Sequence, residues 1–163
     1  MLISVVTASD RCSQGLCEDK SGPLIFELLS DLAETGEYVI VPDEKDTIGA
    51  ELIRLCDEVK SDIIFTTGGT GFAPRDITPE ATKAVIEKDV PGIPEAIRAK
   101  SLEITPKAML SRAAAGIRGK TLIINLPGSP KAVRESLEVV RPVLEHAVET
   151  LSGNTQSCGG NYR

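Results

Sequence analysis

"DIIFTTGGTGFAPRDITPEAT", Asp62 to Thr82, decides how the rest of the chain is read. Its apolar, β-branched start predicts a strand over Asp62 to Thr67. Glycines then occupy three of the next four positions, Gly68, Gly69 and Gly71. Thr78 reads as a helix N-cap, with Pro79 in the first turn. Strand, glycine loop and helix form the unit from which parallel sheets are built.

The same alternation extends to both sides. "LISVVTA", Leu2 to Ala8, predicts a strand. A helix follows from Pro23, with Leu24, Leu28, Leu29 and Leu32 as its stripe and Gly36 as its stop. "EYVIVP", Glu37 to Pro42, predicts a second strand. Asp46 or Thr47 caps a helix reaching Lys60, with Ile48, Leu52, Leu55, Cys56 and Val59 on one face. Beyond the loop, "IPEAIRAKSLE" is helical. "PKAMLSRAAAGIRGK" reads either as helix or as helix then strand, with a turn at Arg118–Lys120. "TLIINLP", Thr121 to Pro127, is a strand, and Ser129–Pro130 open a last helix with a kink expected at Pro142. The pattern predicts an α/β fold: one doubly wound domain, a mostly parallel sheet with helices on both faces, spanning residues 1–153. Residues 154–163 read as a flexible C-terminal tail.

Composition narrows the function classes. A chain of 163 residues can bury roughly 70% of its unfolded surface without staples. A net charge of −6 and the absence of Trp argue against nucleic acid. The opening "MLISVVTASD" has no basic region and too short an apolar run for a targeting or membrane segment. Cys12, Cys17, Cys56 and Cys158 lack C-x-x-C spacing and read as reduced cytosolic thiols. His146 reads as an exposed helix residue, and no Ser-His-Asp or Cys-His set is visible.

The informative polar residues follow the strands. Ser9, Asp10 and Arg11 follow the first. Pro42, Asp43 and Glu44 follow the second. Gly68, Gly69, Thr70 and Gly71 follow the third, with Asp76 a little later. Asn125, Pro127, Gly128 and Ser129 follow the fourth. In a parallel sheet these loops open on one edge, where doubly wound folds bind ligands. The glycine loop is no dinucleotide fingerprint, since Pro74 takes the third glycine's place, and no Gly-Lys-Ser/Thr follows. Its backbone can still form an N–H nest for an anion.

Acids beside such a nest need a reason. Two like charges about 4 Å apart repel by roughly 4 kcal/mol at an effective dielectric near 20. A divalent cation removes that penalty, and Mg²⁺ often binds one or two carboxylates plus substrate phosphates. Asp43 and Asp76 therefore read as a Mg²⁺ pair beside a phosphorylated ligand. The plainer reading has Asp76 pairing with Arg75 or capping the Thr78 helix. Ser111 and Arg112 offer a hydroxyl and a guanidinium to phosphate, or lie at the surface.

Taken in order, "SDR" (Ser9–Arg11), "PDE" (Pro42–Glu44), "TTGGTG…RDITPEAT" (Thr66–Thr82), "AMLSRAAAGIRG" (Ala108–Gly119) and "TLIINLPGSP" (Thr121–Pro130) resemble the Mog family of molybdopterin adenylyltransferases. That family is similar to the G domains of plant Cnx proteins and gephyrin. The resemblance covers residues 2 to 153. It implies transfer of AMP from ATP to the terminal phosphate of molybdopterin, with release of pyrophosphate. It further implies a cytoplasmic homotrimer that hands its product to a molybdate-inserting enzyme. By position, Asp43 and Asp76 match the family's essential acids, and Gly68, Gly69, Thr70 and Gly71 its ligand loop. Ser9, Asp10, Ser111, Asn125 and Gly128 match positions lining the site. B-type proteins of the same pathway share most of these motifs, so a non-catalytic molybdopterin-binding protein is the alternative.

Overall fold

The structure, a computed structural model, describes residues 1–153. The chain runs β1 (Leu2–Ala8), α1 (Asp10–Ser13), α2 (Gly22–Leu29), β2 (Glu34–Val41), α3 (Lys45–Asp57), β3 (Ile63–Thr67), α4 (Thr78–Val85), β4 (Lys88–Asp89), α5 (Gly92–Leu102), β5 (Ala115–Arg118), β6 (Thr121–Leu126) and α6 (Pro130–Ser152). A 3-10 turn, Pro106–Leu110, links α5 to β5. The proposed tail, 154–163, lies outside the described residues, as does Cys158.

The sheet has six strands in the order β2-β1-β3-β6-β5-β4. The first four run parallel, while β5 and β4 are antiparallel to their neighbours. This is the expected α/β architecture. The strands read as continuous apolar runs because both faces are covered. Val5, Ile63, Phe65 and Ile124 meet α2, α5 and α6 in one core. Val6, Ile64 and Ile123 meet α3 and α4 in the other. Among the described residues no helix is long and apolar enough to cross a membrane.

Several local expectations change. Gly36 is inside β2, not at a helix stop. It sits where the β1–β2 register shifts, against the Ile3 carbonyl, and Glu37 N–H donates to Ser4 Oγ at 3.0 Å. A bulge and a helix stop both select glycine, so the residue alone misleads. Helix α4 begins at Thr78 with no side-chain cap, so Thr78 is not its N-cap. It ends at Val85, and Lys88–Asp89 instead pair with β5. The ambiguous segment resolves as a 3-10 turn and then a strand, with the turn at Gly119 and Lys120. Helix α6 runs without a break through Pro142.

The cysteines also differ from expectation. Cys12 and Cys17 are joined in a disulfide, their Cα atoms 4.7 Å apart. Sequence spacing hid this because the approach depends on a tight turn. Gly15 adopts φ +72°, and Leu16 N–H returns to the Arg11 carbonyl at 2.9 Å. Cys56 is free and buried, and burial pushes its thiol up to about 11.

Candidate functional site

Parallel pairing aligns the ends of β2, β1, β3 and β6, with Ala8 beside Val41, Thr7 beside Thr67, and Thr67 beside Leu126. The loops carrying the candidate residues therefore emerge on one edge. Two of them are bound reciprocally. Asp10 N–H donates to Asp43 Oδ2 at 2.9 Å, and Asp43 N–H donates to Asp10 Oδ1 at 3.0 Å. Arg75 grips Asp10 with both arms, Nε to Oδ2 at 2.5 Å and Nη2 to Oδ1 at 2.7 Å.

These contacts split the two carboxylates electrostatically. The Arg75 guanidinium holds the Asp10 carboxyl below its ordinary range. Asp43 moves the other way, chiefly because burial strips its solvent. The Asp10 N–H opposes that rise, while the charges of Asp10 and Asp76 add to it. Asp76 is thus near enough to Asp43 for its charge to be felt there.

Asp76 does neither thing the plainer reading assigned to it. Arg75 pairs with Asp10, and α4 has no side-chain cap. Asp76 instead closes its own loop, accepting from Ala73 N–H at Oδ2 over 2.8 Å. The same oxygen lies 2.7 Å from where a Gly71 Cβ would stand, so glycine is what lets the carboxylate lie on the loop.

Gly68 and Gly69 take φ +92° and +63°, successive left-handed positions that bend the loop back over the sheet edge. A Cβ on Gly68 would collide with the Ala8 carbonyl. One on Gly69 would collide with Thr78 Oγ1 and stand 3.3 Å from Asp43 Oδ1. Thr78 Oγ1 is buried and has no hydrogen-bond partner among the described residues.

Arg112 fixes the loop from the other side. Its Nε donates to the Gly71 carbonyl at 2.7 Å, and its other arms reach the Asp76 carbonyl and Glu80. Its own N–H donates to the Thr70 carbonyl at 2.9 Å. The guanidinium offered to phosphate in the sequence reading is thus used on the loop's carbonyls.

Two cavities flank the loop. The larger, about 350 Å³, is lined by Ser9, Gly68 and Gly128, with Asp19, Lys20 and Ser21. The smaller, about 270 Å³, is lined by Thr70, Gly71 and Ser111, with Arg98 and Lys107. Asn125 lines neither. It is fully buried, donates to Thr66 and Thr82 at 2.9 and 2.8 Å, and accepts from Ala114 N–H at 3.1 Å. Its amide therefore ties β6 to β3 and α4, and its place near the site is structural. Asp19 and Ser21 were missed in the sequence because "EDKSGP" reads only as a helix start. Asp19 does cap α2 there, accepting from the N–H groups of Ser21 and Gly22 at 2.8 and 3.1 Å.

The donor set suits a hard cation. Asp43 and Asp76 each give one oxygen to a backbone N–H and keep Oδ1 for another partner. Among the described residues no cluster of three or more His, Cys, Asp or Glu side chains could hold a metal unaided. Two carboxylates completed by water and phosphate oxygens fit Mg²⁺ rather than zinc.

Comparison with known proteins points in one direction. A family model described as "Probable molybdopterin binding domain" matches residues 4–146. The chain is 52% identical over 155 residues to a Helicobacter pylori protein named molybdopterin adenylyltransferase, covering 93% of this chain and 88% of that protein. It is 45% identical over 167 residues to Dictyostelium discoideum gephyrin, covering 96% of this chain but 23% of gephyrin. A solved structure described as the molybdopterin biosynthesis enzyme MoaB from Thermus thermophilus superposes with TM-score 0.88 at 46% identity, covering 93% of this chain and 96% of that one.

Proposed function

The chain belongs to the molybdopterin-binding domain family, and from that premise we propose that it is a Mg²⁺-dependent molybdopterin adenylyltransferase. It moves AMP from ATP to the terminal phosphate of molybdopterin and releases pyrophosphate. One observation carries this reading: Asp43 and Asp76 both lie against the Gly68–Gly71 loop, whose residues line two separate cavities. A reaction that joins two phosphorylated ligands needs two pockets opening on one charge-compensated point.

The chain's own contribution is placement and charge. A phosphate monoester is already ionised near neutral pH, so no general base is needed. The loop backbone, turned by Gly68 and Gly69, offers a cradle for phosphate oxygens. Ser9 and Gly128 contact one ligand, and Thr70, Gly71 and Ser111 the other. Asp10 acts indirectly, by holding Asp43. Asp43 and Asp76 would hold Mg²⁺, which would supply positive charge to offset the phosphates and the departing pyrophosphate. The reading extends to a cytoplasmic homotrimer that passes its product to a molybdate-inserting enzyme.

The test is direct. Pyrophosphate should appear only when molybdopterin, ATP and Mg²⁺ are all present, together with adenylylated molybdopterin by mass. Asp76→Asn should fold and bind molybdopterin normally but lose at least about 100-fold in turnover. Near-normal turnover in that variant would sink the role of Asp76. A second reading, a non-catalytic B-type binding protein of the same pathway, is in keeping with the family model's description, which names molybdopterin binding and no reaction. It predicts tight molybdopterin binding with no ATP-dependent pyrophosphate under any condition.

A further inference from the structure

The Cys12–Cys17 bridge belongs to the wall of the larger cavity. Cys12 lines that cavity, as do Ser9 before the bridge and Glu18, Asp19 and Lys20 after it. The same segment begins at Asp10, whose N–H holds Asp43 Oδ2. Its far end is anchored by Asp19, which accepts from Thr7 Oγ1 at 2.6 Å and from Tyr38 Oη at 2.7 Å. Between these anchors the chain leaves the body of the fold. Gln14, Gly15 and Leu16 are exposed, and Leu16 is 66% accessible despite being apolar. The disulfide is the covalent tie across this excursion, and both of its cysteines are only half-buried.

The bond has little to do for global stability. The fold already has two separate apolar cores, and a short closed loop constrains the unfolded chain less than a long one. Disulfides in reducing compartments are rare and are usually transient, catalytic or redox-sensing. We propose that Cys12 and Cys17 form a thiol–disulfide exchange site, through which a dithiol reductant sets the order of the cavity wall and so the hold on ligand. This rests on reading the larger cavity as part of the active site.

The exchange balances simply. A thiolate of the dithiol attacks one sulfur of the bridge, the Cys12–Cys17 bond breaks, and the departing cysteine takes up a proton. The reductant's second thiol then displaces the other cysteine and closes its own disulfide. Two electrons and two protons pass to Cys12 and Cys17. Cys56 stays out of this chemistry because it is buried on the face of α3 that packs against the sheet.

The experiment uses the full chain carrying Cys158→Ser, equilibrated in dithiothreitol buffers of rising oxidised fraction. Samples are acid-quenched, alkylated and mapped by peptide mass. Residues 12 and 17 should change together, either bridged or both alkylated. Amide exchange over residues 9–21 and at Asp43 should be about tenfold faster in the reduced form, with β6 unchanged. Mg-ATP and molybdopterin are titrated separately, and at least one should bind several-fold more weakly to the reduced form. Cys17→Ser should match the reduced protein in every buffer. Alkylation of both cysteines in even the most oxidising buffer overturns the proposal. So does a bridge that forms without changing either exchange or both affinities. If exchange and affinity respond while neither form makes adenylylated product, the redox control stands and the enzymatic reading fails.

Discussion

Asp43 and Asp76 lie against the same glycine loop but are held by opposite means. Asp43 is fixed across the sheet, by amide–carboxylate bonds exchanged with Asp10 after β1. Asp76 is fixed within its own loop, by Ala73 N–H and by Arg112 gripping the loop's carbonyls. The long-range arrangement leaves Asp43 half-buried, and that makes its charge costly. The local one aims Asp76 through backbone that only glycine can follow. One acid is tuned by its surroundings, and the other is aimed by its loop.

The largest effect should come from breaking the loop side. Gly68→Ala must leave the left-handed region or push its Cβ into the Ala8 carbonyl. Calorimetry should register a loss of about 2–4 kcal/mol, or about 5–15 °C in Tm. An unchanged Tm would mean that the loop is not held as described.

Removing the grip without touching the glycines is the next step. Arg112→Gln should lower turnover about tenfold while the KM values change little, because the loop loses its aim rather than its pockets. Arg112→Lys keeps the charge but not the fork, and should recover only part of that loss. Full recovery in the lysine variant would reduce Arg112 to a simple counter-charge.

The Asp43 side is best tested by pH. Its folded-state value lies above the ordinary 3.8. The folded state therefore binds the proton more tightly, and stability falls as pH rises from about 4 through the raised value. Asp43→Asn cannot ionise, so it should melt above wild type at neutral pH, and the gap should close as pH drops below that window. Added Mg²⁺ should raise the wild-type Tm and leave Asp43→Asn unmoved. A variant less stable than wild type at pH 7 would show that the Asp10 tie outweighs the buried charge.

The smallest effect belongs to Arg75, an exposed partner. Asp10 titrates below its ordinary value because of Arg75, so its favourable contribution exists above pH 3.8 and fades as pH falls through the lowered value. Arg75→Gln should return the Asp10 titration, followed by NMR, toward the ordinary range, with turnover within about twofold.

The same contrast explains what could be read in the sequence. Strands buried on both faces announce themselves as apolar runs, so β1, β3 and β6 were legible as "LISVVTA", "DIIFTT" and "TLIINLP". Asp43 and Asp76 stood out because acids beside a glycine loop need an electrostatic reason. What could not be read depends on contacts distant in sequence. Asn125 follows its strand pattern in the same way as the site residues, yet three hydrogen bonds inside the fold use its amide. Arg112 could be read equally as a phosphate ligand or a surface residue, because the loop it grips lies 41 residues away. Strand β4 has only two residues and carries no period at all.

That two-residue strand has a consequence for assembly. Lys88 and Asp89 close one rim of the sheet with too few free backbone groups, and too much charge, for another strand to add there. The opposite rim, β2, is bulged at Gly36 and presents Glu34 and Glu37 beside it. Both borders of the sheet therefore discourage strand-to-strand growth. Any association between copies of this chain is thus easier through helices or loops than through strand pairing.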